Sequence, residues 1–327
     1  PYNNTIWIGR RTLGSSEWEI FRHPTFTANN IDDDHDTISF GIDGAGTMHI
    51  SWGMHGDALH YARSVGSVLG TNAIAFGPDG PMTGNGNENQ ATYPQFLRLP
   101  DGDMLYLYRN GNSGSGELFL NRYEVDTGTW ASVHESGGTP SPIIDGRSWT
   151  PNYNGYLNQP MLGGADGDDL IFTWNWRYNG DSTNWPAGSY QTNHRFNFSR
   201  STDAGVTWEQ FDGTPYVLPI NRGGENGDTN SIAEVIVDIP ETYSLINQAG
   251  MCLDENDNPV IASWWAPGTG TNDYRRQYMV VFRGEDDSWQ TRQVSWRTND
   301  NASDFYDKAL YTDGSLGSVR DLGRPAV

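Results

Sequence analysis

The sequence carries one cysteine, Cys252, and one lysine, Lys308, in 327 residues. A lone thiol excludes an intramolecular disulfide framework, so packing and hydrogen bonds must hold the fold, and cysteine usage is silent on compartment. No apolar run approaches about eighteen residues, which excludes a membrane-spanning helix. No stretch keeps a 3.6-residue hydrophobic period, which argues against a helical fold. No charged-then-apolar leader stands at Pro1, and the start reads as a processed end. Positive charge is also scarce: 20 basic residues face 41 acidic ones, for a net charge of -21. Such a surface repels nucleic acid and anionic membranes, so neither is an expected partner.

What the chain has in quantity is aromatics and turn formers: 13 Trp, 16 Tyr and 12 Phe beside 39 Gly and 17 Pro. That balance suits many short strands joined by tight turns. A unit of short strand, Asp/Gly/Asn-rich turn and aromatic-closing strand recurs at Thr37–Trp52, Pro94–Arg109, Pro160–Trp176 and Gly250–Trp265. The starts fall 57, 66 and 90 residues apart, against roughly 40 to 50 residues for a four-stranded propeller blade, so insertions must decorate the blades. Gly323–Val327 resembles the opening of a further copy, which predicts an incomplete final blade. Ser201–Trp208 reads STDAGVTW. There Asp203 is placed to accept backbone N–H groups across a turn, Gly205 to take positive φ, and Trp208 to pack beneath the hairpin. Weaker echoes stand at Val125–Trp130 and Gly284–Trp289. The expectation is an all-β, single-domain propeller of four-stranded antiparallel blades spanning residues 1–327.

Several residues could carry chemistry. Asp32–Asp36 reads DDDHD and puts His35 just before the first hairpin, with His55 just beyond it. Both are candidates for one rim, whereas His49 lies within a strand. Tyr106 and Tyr108 share a strand face by their two-residue spacing, with Arg109 next and Arg122 on the following strand. Trp174, Trp176, Arg177, Tyr178 and Trp185 follow the third hairpin and are candidate sugar platforms and contacts, blade packing being the alternative reading of the tryptophans. His194 and Cys252 offer nitrogen and sulfur ligands for a structural metal, an inert buried thiol being the alternative.

The segments His35–Ser64, Leu157–Arg177 and Asn193–Trp208 resemble the BNR-repeat, or Asp-box, propeller family, which includes seven-bladed ulvan lyases. In those lyases two histidines about twenty residues apart precede a tyrosine, and an arginine follows the tyrosine by sixteen. His35 and His55 are twenty apart, and Tyr106 and Arg122 sixteen apart. The resemblance implies His35 and Tyr106 as the proton-transfer pair and Arg122 with His55 as neutralisers of a uronate carboxylate, with Tyr108 and Arg109 as alternative matches. A cation beside the carboxylate is what β-elimination needs, because removing the C5 proton builds carboxylate-stabilised negative charge. Arg109 and Arg177 are expected to join Arg122 in a positive cleft within the acidic surface.

The resulting expectation is a polysaccharide lyase acting on an acidic, sulfated, uronate-containing polysaccharide, most simply ulvan. It is expected to be a secreted or periplasmic bacterial monomer that needs no metal in catalysis and has room for a structural zinc or calcium ion. Two rival readings are a sialidase-like glycoside hydrolase and a non-catalytic sugar-binding propeller. The first lacks an Arg-Ile-Pro element near the start; the second has no need of a proton-transfer pair.

Overall fold

The structure, a computed structural model, describes residues 4–30, 32–33, 35–71, 73–147, 152–178, 192–223, 232–241, 243–268, 276–297 and 325. Among them there is no α-helix, and the hairpins and the sheets they build are made of antiparallel strand pairs. Each of the four recurring units forms a hairpin. Ile38–Ile42 pairs with Thr47–Trp52, and Ala91–Arg98 with Met104–Asn112. Met161–Gly163 pairs with Asp169–Tyr178, and Gly250–Leu253 with Pro259–Trp265. Further strands extend each hairpin: the last grows into a four-stranded sheet through Gln277–Arg283 and Trp289–Gln293.

The chain divides into two compact units, residues 1–112 with 117–143, and residues 113–116 with 144–327. In the first, Ile8, Phe26, Ile50 and Trp52 form one apolar cluster and Met54, Tyr61, Tyr106 and Phe119 another. In the second, Ile171, Phe196, Leu245, Met251, Ile261 and Val281 pack together. The Met104–Asn112 strand is buried on both faces, with Met104, Leu105, Tyr106, Leu107 and Tyr108 all at 0% exposure. It therefore reads as a continuous apolar run instead of an alternating one.

Turn chemistry fixes the hairpin ends. Asp43 Oδ1 accepts the backbone N–H of Ala45 at 2.9 Å and of Thr47 at 2.7 Å, while buried His49 bridges Asp43 and the Tyr61 hydroxyl. In the first unit two such turns meet: Gly44 N–H donates to the Gly102 carbonyl at 2.8 Å, and a β-carbon on either glycine would stand 2.8 Å from the other's Cα. Only residues without side chains fit that approach.

The STDAGVTW segment folds as its residue types dictate. Asp203 Oδ1 accepts the Thr207 N–H at 2.7 Å, Gly205 sits at φ +95°, and Trp208, 2% exposed, donates its indole N–H to the Gly205 carbonyl at 3.0 Å. Hydrogen bonds from Thr207 and Ser201 outweigh burial and hold the Asp203 carboxyl below its usual range. Among the strand ends of the first unit, the Asp43–Gly46 and Asp101–Asp103 turns occupy one end. His35, His55, Thr92 and Arg109 fall at the other end of the same strands.

Candidate active site

The loop before the first hairpin is tied by its own carboxylates. Asp36 Oδ2 accepts the Asn30 N–H at 2.8 Å, and Asp33 Oδ1 accepts the His35 N–H at 2.9 Å. These local bonds are the use to which the DDDHD stretch is put. They leave His35 half-buried with its Nδ1 2.6 Å from Asp33 Oδ1. His55 reaches the same carboxylate from beyond the hairpin, its Nδ1 2.7 Å from Asp33 Oδ2. The two imidazole rings stack at 4.0 Å with 16° between their planes.

His55 opens a short strand paired with Ala91–Arg98, in register with Thr92. The Thr92 hydroxyl oxygen accepts the Gly56 N–H at 2.8 Å and an Arg109 N–H at 2.8 Å, so one buried side chain joins the histidine strand to the arginine. The register then breaks between Thr92 and Gln95, and Tyr93 takes φ +58°. A bulge of this kind re-aims a side chain, and a left-handed tyrosine is held only where its surroundings require it. Its ring centre lies 5.9 Å from that of His35, and the Arg109 guanidinium carbon stands 4.9 Å from it. Asp33, His35, His55, Tyr93 and Arg109 thus form one cluster. Three hydrogen bonds, the His35 N–H first among them, hold the Asp33 carboxyl far below the ordinary carboxylate range.

The structure brings His35 and His55 together with Arg109, one of the alternative matches, and it sends Tyr106 and Arg122 of the expected array elsewhere. Tyr106 is fully buried, its hydroxyl 2.9 Å from Ser51 Oγ and its ring against Phe96 and Tyr108. Burial drives its pKa well above the ordinary phenol value. Tyr108 is equally buried. Arg122 is ion-paired with Asp101 at 2.8 Å and Asp103 at 2.7 Å. Asp103 ends the turn just before the Met104–Asn112 strand and lies six residues before Arg109, about 20 Å away at the usual strand rise. The expected cleft cation therefore serves a turn at the opposite strand end.

In the second unit Trp174 and Trp176 are at 0% exposure and act as sheet core instead of sugar platforms. Arg177 donates to the Tyr156 hydroxyl at 2.9 Å, and Tyr178 packs on Tyr153 at 5.5 Å. Trp185 lies outside the described residues. His194 is buried, with Nδ1 3.0 Å from the Thr192 carbonyl and Nε2 accepting from Arg222 at 3.3 Å. Burial lowers its pKa to about 4, which keeps it neutral. Both ring nitrogens are engaged, so the metal-ligand reading of His194 with half-buried Cys252 is replaced by a structural one. Among the described residues, Asp33, His35 and His55 are the group whose ligand atoms lie close enough to hold a metal ion, within 4.8 Å of one another.

Tyr93 and Asp33 are the members of this cluster that the sequence does not single out. One signal was present: Tyr93 and Arg109 are also sixteen residues apart, the spacing shared by Tyr106 and Arg122.

A model of the family described as BNR repeat-containing family member matches residues 2–297. A protein named ulvan lyase, long isoform, from Pseudoalteromonas sp. (strain PLSV) is 22% identical over 240 residues, 62% of this chain and 23% of that protein. One of the same name from Glaciecola sp. (strain KUL10) is 27% identical over 146 residues, 34% of this chain and 14% of that protein. The match thus spans about a quarter or less of the length of these relatives. Among solved structures, a polysaccharide lyase aligns with a TM-score of 0.63 at 17% identity, over 88% of this chain and 67% of the other. An ulvan lyase bound to -[GlcA(1-4)Rha3S]- aligns with a TM-score of 0.57 at 18% identity, over 79% of this chain and 57% of the other. At such identities the likeness is one of fold.

Proposed function

The chain belongs to the BNR repeat-containing family, and on that premise we propose that it cleaves a sulfated, uronate-containing polysaccharide of the ulvan kind by β-elimination. The observation that carries this reading is the meeting of an imidazole pair, a phenol and a guanidinium in one cluster: His35, His55, Tyr93 and Arg109. The names of the relatives supply the substrate class.

In this proposal His35 Nε2 takes the C5 proton of the uronate. The C5–H electron pair becomes the C4=C5 double bond, the C4–O4 bond breaks, and O4 leaves with its electrons and a proton from the Tyr93 hydroxyl. The proton taken by His35 returns to Tyr93 through solvent, which restores both groups. Arg109 beneath the tyrosine and protonated His55 offset the charge that grows on the substrate carboxylate. Tyr93 and Arg109 replace Tyr106 and Arg122 in the roles the resemblance implies. Within the same proposal the antiparallel sheets are blades of one seven-bladed propeller domain. The enzyme works as a secreted or periplasmic monomer, and its route draws on side chains alone.

Incubation with ulvan tests it. Growth of the ultraviolet absorbance of an unsaturated uronate is the expected result. New reducing ends without that absorbance would mean hydrolysis, and binding without either would mean a lectin-like propeller.

A further inference from the structure

Both histidines of the cluster turn the same ring nitrogen, Nδ1, toward one carboxylate, and each meets a different oxygen of it. We infer that Asp33 is a positioning residue that locks His35 and His55 in a single tautomer, with both Nε2 atoms turned away from it and toward the substrate. The inference rests on the elimination reading above for its substrate, and on geometry alone for the clamp.

The argument is one of donors and acceptors. Asp33 already accepts the His35 backbone N–H at 2.9 Å, and an ionised carboxylate can only accept. Each ring must therefore bring a proton on Nδ1, since a bare Nδ1 lone pair at 2.6 or 2.7 Å would face an oxygen lone pair. In a neutral imidazole the second nitrogen is then bare, which is the form a proton acceptor needs. The carboxylate also sets how many positive charges the pair can carry. With ring centres 4.0 Å apart, two imidazoliums would repel, while one imidazolium beside one carboxylate is balanced. The clamp thus supports unequal states in two chemically identical groups: one ring neutral to take a proton, the other charged to face a carboxylate. Among the described residues, other charged groups beside the pair are Asp32 and Asp36 of the preceding loop, Asp57 at the end of the His55 strand and Arg109 beneath Tyr93.

Asp33→Asn is the test, because it keeps the shape but offers one accepting oxygen and an N–H₂ that must donate. The full chain, labelled with 15N at histidine, is examined by long-range 1H–15N spectra of the rings, alongside kcat and KM on ulvan. In the parent protein both rings should carry their proton on Nδ1. In the variant at least one ring should move its proton to Nε2. Turnover should fall by about 10²-fold or more in kcat with little change in KM. A variant whose ring tautomers match the parent, or whose kcat stays within threefold, overturns the inference. So does a parent protein in which added zinc displaces both Nδ1 protons and raises turnover, because the three residues would then be metal ligands. If the tautomers shift as expected but the parent never yields an unsaturated uronate, the clamp stands and the elimination reading is what fails.

Discussion

The Arg109 guanidinium carbon stands 4.9 Å from the centre of the Tyr93 ring while the same side chain donates to Thr92 Oγ1 at 2.8 Å. The planar fork is fixed from one side by the hydroxyl and faces an aromatic surface on the other, an arrangement a lysine cannot reproduce. A cation there lowers the cost of negative charge on the phenol and on a bound carboxylate alike.

Tyr93→Phe should therefore reduce elimination by about 10²-fold or more and leave the thermal transition near that of the parent. Tyr106→Phe should do the reverse. It removes the hydroxyl bonded to Ser51 in the core and should cost about 1 kcal/mol of stability with turnover retained. Equal turnover in Tyr93→Phe and parent, followed by ultraviolet absorbance, would remove Tyr93 from the mechanism.

The two arginines separate in the same way. Arg109→Lys should lower kcat by about 10²-fold. Arg122→Ala opens a partly exposed ion pair with Asp101 and Asp103 and should cost no more than about 1 kcal/mol, with kcat unchanged. Steady-state kinetics and urea melts on both variants check this.

Truncating Trp174 tests core against platform. As a fully buried ring it should cost about 3–5 kcal/mol when changed to Ala, read as a lower denaturation midpoint. A variant of parental stability with weakened polysaccharide binding would restore the platform reading.

His60 carries a pH dependence with a definite sign. Its Nδ1 lies 2.6 Å from Asp79 Oδ2, and that hydrogen bond raises its pKa above the ordinary imidazole value. The stabilisation is complete below the unfolded pKa of about 6.5 and fades as the pH rises through the higher folded value. Asp79→Asn should therefore lose stability at pH 5.5 and lose less at pH 9, by under about 1 kcal/mol in all for a partly exposed pair. Denaturation at the two pH values measures it.

What the sequence disclosed and what it hid follow from how local each signal is. The hairpins were legible because Asp and Gly turns between aromatic strands fold by contacts a few residues apart, and the bonds of Asp203 and Gly205 are of that kind. His35 and His55 were legible because both flank one hairpin. Tyr93 was hidden because its bulge breaks the alternation by which strand faces are read, and its φ of +58° is set by tertiary surroundings. Tyr106 misled for a related reason. A two-residue spacing assigns residues to one face, but a strand covered on both faces offers neither to solvent. Arg122 misled because its partners, Asp101 and Asp103, are given by register across strands and not by its own neighbours in sequence.

The touching glycines, Gly44 and Gly102, carry a lesson about where this architecture has freedom to change. With two turns joined backbone to backbone, a longer loop at that edge would drive the first two hairpins apart. Variation in length is thereby directed to the far edge, where His35, His55 and Tyr93 reside. Loops can lengthen around the histidine cluster, while the sealed edge keeps the strands beneath in register.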